Sequence, residues 1–569
     1  MINLASRLSN FHRLLAILTN LSLCACMEID PSLKYDRGFI NDSAADRGIG
    51  EDDRLSIDFS HVMQGENEVE NASSNVLRSI SEALTPSAEP CLGPWMCRDG
   101  LGCVNGNCGG CQSNFDCPRG MVCELDSGSS ELGLCTHCDI EGEQSCDEGL
   151  SCIEGLCLHT KLIYYEVELN SEAWSELRRE RYQDTLKAPC LLKISKISEL
   201  NEMPTFDQIH PCHIKVHGGS SRDLIKLSWR LTLEEPIGDI TWGDDRIILR
   251  AEYNDLSLMR NVLSFTLFEH WTALPTSRWR YIWLNVNGED QGIYLQIEKN
   301  HDEMMRRWGR DPDAPRYEAD ININDMLDRG ASGLIPLPML TDYWKAYERL
   351  AGLSYAPLIH LIEEVIGDQS RIDWLERGVE VLAEATHLES YLRYIAVMRL
   401  IQNLDSIRKN YVISFQSLGD EVSRWEVYPW DLDLSWGCLF NDLGGTSICD
   451  ETVADVPLRL GETPDGAPPT YPVDGLYNML TERSLSPTMA RAYYERLLCE
   501  LTQDLEDNPA MARVFQQAAA LTTYLSPWVS QDASYRGDSL ETFLEAVEEI
   551  RDYWEARRSF INQSISCDQ

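Results

Sequence analysis

The chain has 569 residues and a formal net charge of −43, from 49 Lys and Arg against 92 Asp and Glu. So acidic a surface argues against nucleic acid or anionic membrane as a direct docking partner and favours solubility. The hydrophobic content of 43% is ordinary for a soluble protein of two or more domains, and no apolar run is long enough to span a bilayer.

Arg7, His12 and Arg13 precede a short apolar stretch at 14–23, the layout of a secretory signal. It ends in Leu23-Cys24-Ala25-Cys26, which resembles a bacterial lipobox. The resemblance implies a lipoprotein signal peptide over 1–25 and a lipid on Cys26, a stable membrane anchor once several acyl chains are attached. Met27 follows where an Asp would retain many such proteins at the inner membrane. The implied location is the bacterial cell envelope, as an outer-membrane lipoprotein or at the cell surface. Residues 26–90 are rich in Asp, Glu, Ser and Asn and read as a disordered acidic tether, too polar to offset chain entropy by burial.

Twelve of the 20 cysteines lie between 91 and 158, in three groups of four: Cys91, Cys97, Cys103, Cys108; Cys111, Cys117, Cys123, Cys135; and Cys138, Cys146, Cys152, Cys157. The phrases Gly-Leu-Gly-Cys-Val, Gly-Met-Val-Cys-Glu and Gly-Leu-Ser-Cys-Ile recur around the third member of each group, so this is an internal repeat. Units this small cannot build a core, and two disulfides per unit are the expected staples of an exported chain. The Cys-x-x-Cys pairs Cys108/Cys111 and Cys135/Cys138 leave zinc ligation open, and connectivity is not deducible from spacing. The remaining cysteines pair off in sequence order as Cys190 with Cys212, Cys438 with Cys449 and Cys499 with Cys567. The partner of this module is unknown from sequence.

From residue 162 the composition becomes globular. Alternation predicts strands at 162–169, 190–196, 213–217, 226–233 and 246–251, with a helix from a Ser171 cap to about 181. A helix is predicted over 257–274. Strands 281–286 and 292–298 flank Asn287-Gly288, a strong hairpin signal. Beyond 302 the pattern turns helical, at 342–350, 357–367, 373–385, 388–402, 488–504, 510–524 and 540–561. A hairpin at 411–416 and 424–428 interrupts it. The expectation is an α+β, bilobal, protein-kinase-like domain over 162–569, strand-rich first and helical second, behind the small disulfide-rich module.

The most informative segment is Asn403-Leu-Asp405-Ser-Ile-Arg-Lys-Asn410-Tyr, followed after that hairpin by Trp430-Asp431-Leu-Asp433. An Asp, an Asn five residues on, and an Asp beyond a short hairpin is the order of parts in a kinase catalytic centre. Asp405 is the candidate that orients the acceptor hydroxyl and takes its proton. Asn410, Asp431 and Asp433 are hard oxygen donors suited to Mg²⁺ or Mn²⁺.

Four further blocks accompany these. They are Lys215-Val-His-Gly-Gly-Ser-Ser221, Lys226-Leu-Ser-Trp-Arg230, Leu249-Arg-Ala-Glu-Tyr-Asn-Asp-Leu-Ser-Leu-Met-Arg-Asn261, and Asn285-Val-Asn-Gly-Glu-Asp-Gln-Gly-Ile-Tyr-Leu-Gln-Ile-Glu298. In this order they resemble the CotH kinase family of atypical kinases, from about residue 162 to the C-terminus. The resemblance implies ATP-dependent transfer of phosphate to Ser or Thr hydroxyls of a protein substrate. It implies that Gly218, Gly219, Ser220 and Ser221 close over the phosphates and that Lys226 pairs with them, Lys215 being its rival. Glu298 would lie at the lobe connection near nucleotide or metal. His217 stands where the family often has Arg. Two other readings remain open: an inactive envelope scaffold or adhesion protein, and kinase-fold chemistry of another kind, such as AMP transfer.

Overall fold

A computed structural model describes residues 162–197 and 206–567, interrupted at 207, 273, 320–332, 335–336, 338–339, 368–377, 404, 408, 418–421, 442–445, 450–477 and 536–538. It also describes six short strands between 102 and 159. The signal segment, Cys26 and the tether lie outside the described residues.

The six strands form three hairpins: β1 (Gly102–Val104) with β2 (Asn107–Gly109), β3 (Met121–Glu124) with β4 (Leu134–His137), and β5 (Leu150–Ile153) with β6 (Leu156–His159). The third and fourth cysteines of each group occupy opposed register positions: Cys103 with Cys108, Cys123 with Cys135, Cys152 with Cys157. The repeat read from the sequence is thus a repeat of hairpins.

Seven strands then close into a barrel. They are β7 (Leu162–Leu169), β8 (Ala188–Ile197), β9 (Ile209–His217), β10 (Ser228–Leu233), β11 (Arg246–Arg250), β12 (Trp279–Val286) and β13 (Glu289–Ile297), in the order β10-β11-β13-β12-β7-β8-β9. Closure comes from a parallel pairing of β7 with β12, Ile282 opposite Ile163 through Val286 opposite Val167, while β9 pairs with β10. Alternate residues fill the interior: Tyr165, Val167, Leu192, Ile214, Trp229, Leu231, Ile247 and Leu249 among them. Each such side chain stabilises by about 1.5–3 kcal/mol. Trp174 and Leu177 of helix α1 (Ser171–Arg179) join this core, Trp174 lying 4.5 Å from Trp229 between ring centres. The cap of α1 is Asn170, whose side chain accepts from the amides of Glu172 and Ala173, and not Ser171 as predicted. A disulfide joins Cys190 to Cys212, opposed residues on β8 and β9.

Helix α2 (Arg260–Trp271) is buried all round over its first nine residues and packs against β12 and β13, which are therefore apolar on both faces. The same core continues without a break into the C-terminal half. That half holds a four-stranded sheet in the order β15-β14-β16-β17, from β14 (Arg316–Ala319), β15 (Tyr347–Ala351), β16 (Tyr411–Ser417) and β17 (Ser423–Pro429). Helices α3 (Asp302–Arg307), α4 (Leu340–Ala346), α5 (Ala356–His360), α6 (Gly378–Ala385) and α7 (Leu388–Leu400) surround it, and α8 (Met479–Leu485), α9 (Thr488–Leu501), α10 (Pro509–Val529) and α11 (Leu540–Ser564) follow. Cys499 is bonded to Cys567, and Cys438, itself disulfide-bonded, sits opposite Cys449 in the hairpin β18 (Cys438–Asn441) and β19 (Thr446–Cys449).

The mixed α+β class expected from sequence is present, with two differences. The strand-rich part is a closed barrel with its own interior core, and a second core runs from its outer face into the helices, so the fold shows no plain division into two lobes. Residues 347–350, the end of the helix predicted over 342–350, instead belong to β15, because buried Tyr347 and its neighbours find a ladder partner in β14.

Candidate active site

Helix α7 ends at Leu400, and buried Gln402 and Asn403 follow it. The Asn403 side chain accepts from the amide and hydroxyl of Ser406 at 2.9 and 2.8 Å, which winds the chain into a single turn of 3₁₀-helix at Asp405–Ile407. Four residues on, the chain takes a left-handed conformation at Asn410 (φ 58°) and enters β16 with the Asn410 amide bonded to Ala319 O of β14. Asn tolerates this backbone because its short side chain bonds locally. Here it does so by donating Nδ2 to Asp405 Oδ2 at 2.7 Å, and Lys409 Nζ reaches the same oxygen at 3.0 Å. The spacing of five is thus a closed ring.

The hairpin β16–β17 returns the chain to Trp430, and Asp431 is again left-handed (φ 55°). Two anchors from α2 fix this second loop. Asn261 Oδ1 accepts from the Leu432 amide at 2.9 Å, and Ser264 Oγ accepts from Trp436 Nε1 at 2.9 Å. Backbone strain held by surrounding bonds is a recurrent property of functional loops.

Asp431 and Asp433 converge on one cation that the sequence reading passed over. Arg250, the last residue of β11, bonds Asp431 through Nη1, meets Asp433 Oδ2 through Nη2 at 2.9 Å, and meets Glu252 Oε1 through Nε at 3.1 Å. Burial pushes the Asp433 carboxyl up to about 7; Arg250 opposes this, while Asp431 and Asp405 add to it. Burial likewise carries Glu252 up to about 8, against Arg250 and with Asp433. Lys409 is pulled down by burial, yet Asp405, Asp431 and Asp433 outweigh that and hold it above the ordinary lysine value. Asp405, Lys409, Asp431 and Asp433 therefore share one electrostatic cluster, though 28 positions separate the first from the last.

The CotH kinase protein family matches residues 214–561, more than half of the chain. The chain belongs to that family. It is 24% identical over 408 residues to "Inner spore coat protein H" of Bacillus subtilis (strain 168), covering 72% of this chain and 98% of that protein. An "Inner spore coat protein H-like protein" of the same strain is 31% identical over 106 residues, 18% of this chain and 34% of the other.

Other residues singled out from sequence lie outside the acidic cluster. Lys226 is buried, donates to Ile293 O at 2.7 Å, lies 3.4 Å from Asp532 Oδ2 and sits over the Tyr294 ring. Burial lowers its pKa and Asp532 partly restores it. Glu298 is ion-paired through Oε2 with Arg307 and accepts from the Arg278 amide at 2.9 Å. The cap of α3 is His301, whose Nδ1 accepts from the Glu303 amide. Gly218 (φ 97°) opens the turn after β9, where a Cβ would stand 2.1 Å from Ser221 Oγ. Gly219 O accepts from the Arg222 amide, and Ser220 begins the 3₁₀ turn Ser220–Asp223. Arg222 Nε closes the turn by donating to Gly218 O at 2.6 Å.

Among the described residues no three His, Cys, Asp or Glu side chains are grouped as a ready cation cage. Magnesium does not need one: it takes one or two carboxylates and completes its shell with waters and phosphates. The donor chemistry fits that habit. Asn410 has spent Nδ2 on Asp405 and has its amide oxygen to offer, and Asp431 and Asp433 bring carboxylates to the same electrostatic cluster as Asp405.

Proposed function

We propose that this protein is a metal-dependent kinase that transfers the γ-phosphoryl group of ATP to Ser or Thr hydroxyls of a protein substrate. One observation carries the reading: Asp405 bonded to Asn410, within the electrostatic reach of Asp431 and Asp433.

The element order supports it. A Gly-Gly-Ser-Ser turn, a strand ending in a cation, a buried helix, a two-stranded hairpin and a connector precede the helical half, the sequence of parts in protein kinases. Arg250 occupies the place of the strand lysine in that order and faces the Asp of the later loop.

Asp405 is fixed through Oδ2, and its other oxygen accepts the proton of the acceptor hydroxyl as that hydroxyl attacks the γ-phosphorus. The bond from the γ-phosphorus to the bridging oxygen breaks and ADP leaves. Lys409 and Asn410 hold the carboxylate in orientation, which matters more here than basicity. Asn410 Oδ1 and Asp431 would hold Mg²⁺ or Mn²⁺ with Asp433 assisting, and such an ion neutralises charge on the transferring phosphate.

The lipobox-like segment at Cys26 supports an exported, membrane-anchored setting at the cell envelope, and the name of the relative, an inner spore coat protein, supports a coat-associated one. A second reading, a non-catalytic envelope scaffold, is favoured by the occupation of Asp431 and Asp433 by Arg250. Radiolabel transfer from γ-labelled ATP separates the two. The full chain labels protein acceptors with Mg²⁺ or Mn²⁺, and Asp405→Ala lowers kcat by about 10³-fold while melting normally. Wild type that transfers no label and binds no nucleotide defeats the kinase reading.

A further inference from the structure

The outer face of the barrel carries a group of cations that the reaction above does not use. Lys215 on β9 and Arg230 on β10 are direct register partners. Their neighbours Ile214, Val216, Trp229 and Leu231 fill the interior, so the period of two turns both cations outward. His217 lies two positions beyond Lys215 and opposite Ser228, whose hydroxyl accepts from the Ala251 amide just past Arg250. Lys299 follows β13, its Nζ 3.7 Å from Glu348 on β15.

Like charges directly opposed on a sheet destabilise it. In a chain with 92 acidic residues, partners for such a pair are abundant. The structure nevertheless leaves a surplus of positive charge here. Lys215 Nζ donates to a neutral carbonyl, Asp184 O, at 2.9 Å, and Arg230 Nε is buried with no hydrogen-bond partner. Burial lowers the pKa of Arg230 first and Arg246 next, and the attraction of Glu348, Asp245 and Asp184 does not restore it. Burial and then Arg230 lower Lys215. His217 is pushed well below the ordinary imidazole value by burial, then by Arg250 and Lys299. Arg250 belongs to this face and also grips Asp431 and Asp433, so the cationic wall adjoins the acidic loops.

We propose that Lys215, Arg230 and Lys299 form the seat for the phosphate chain of the nucleoside triphosphate donor. The proposal rests on the kinase reading and relocates its phosphate contacts from Lys226 to the barrel's outer face. A triphosphate supplies compact negative charge to several cations at once, and the guanidinium fork of Arg230 suits phosphate oxygens. The opposed pair is then a site kept ready for an anion, at a cost in stability to the empty protein.

The test titrates AMP, ADP and ATP, with Mn²⁺ fixed, into the full chain and into a Lys215→Gln/Arg230→Gln double variant. Wild type tightens from AMP to ATP. The double variant loses about tenfold or more of that gain, binds AMP nearly as before, and melts no lower than wild type because the repulsion is gone. Arg230→Lys keeps part of the gain. A double variant with the full gain from AMP to ATP overturns the proposal, and so does one that melts below wild type, since the pair would then be structural. Wild type that binds none of the three nucleotides defeats the donor reading itself.

Discussion

The barrel and the two loops that face it divide the chemistry by charge and by backbone. The barrel contributes cations from regular strands: Lys215, Arg230 and Arg250 stand at positions fixed by the ladder. The loops contribute oxygens from residues held in left-handed conformations, Asn410 and Asp431, each tied by bonds to a neighbouring element. A strand sets where a charge stands with little local cost. A loop can aim a carboxylate at a reacting atom, and needs outside bonds to keep it there. Arg250 is where the two meet.

Removing that joint breaks the comparison most severely. Arg250→Met leaves Asp431, Asp433 and Glu252 facing one another with their shared counter-charge gone. A loss of about 3 kcal/mol of folding stability in urea titration is expected, with Arg250→Lys intermediate because a point charge cannot serve three carboxylates at once. Stability within error of wild type would show that the loops hold their oxygens without the barrel.

A second junction gives a smaller effect. Gly292 (φ 80°) on β13 lies so close to Asp532 that an added Cβ would stand 1.9 Å from Oδ1, and Asp532 Oδ2 accepts from the Ile293 amide at 2.9 Å and meets Lys226. Gly292→Ala strains the backbone and pushes Asp532 off the barrel, at a cost of about 2 kcal/mol. The melting temperature checks this. Because this clasp lies apart from the acidic cluster, the nucleotide affinity of the folded fraction should hold.

The smallest expected effect is on pH dependence. Asp433 and Glu252 have folded pKa values of about 7 and about 8, both above the ordinary carboxyl values. A group raised in this way contributes stability that is full below its unfolded value and is lost as pH rises through the folded one. The metal-free, nucleotide-free protein should therefore lose stability from about pH 5 to about pH 8, and Asp433→Asn should flatten part of that slope. An unchanged slope in the variant would mean that Asp433 ionises as freely in the folded chain as in the unfolded one.

Much of this was legible in the chain because it was local. Asn287-Gly288 marked its hairpin, the alternation at 162–169 marked a strand, and Cys190 and Cys212 proved to be bonded partners. The spacing of Asp405 and Asn410 marked a turn whose ends do bond. What was missed depends on distant partners. Closure of the barrel needs β7 to find β12 in parallel, across more than a hundred residues. Arg250 takes its meaning from Asp431, 181 positions away. The short β14, Arg-Tyr-Glu-Ala, carries too few apolar residues to announce a strand. Tyr-Glu-Arg-Leu-Ala of β15 is built from residues that also suit a helix, and only β14 decides it. The claim of Asp532 on Lys226 likewise spans 306 positions.

The most direct test of the central claim is a crystal structure of the full chain with a non-hydrolysable ATP analogue and Mn²⁺, read through the anomalous signal of the metal. The account predicts a manganese peak between Asn410 Oδ1 and Asp431, the γ-phosphate within reach of Asp405, and the phosphate chain against Lys215 and Arg230. Manganese or phosphates bound elsewhere, with Arg250 still closed on Asp431 and Asp433, would contradict it.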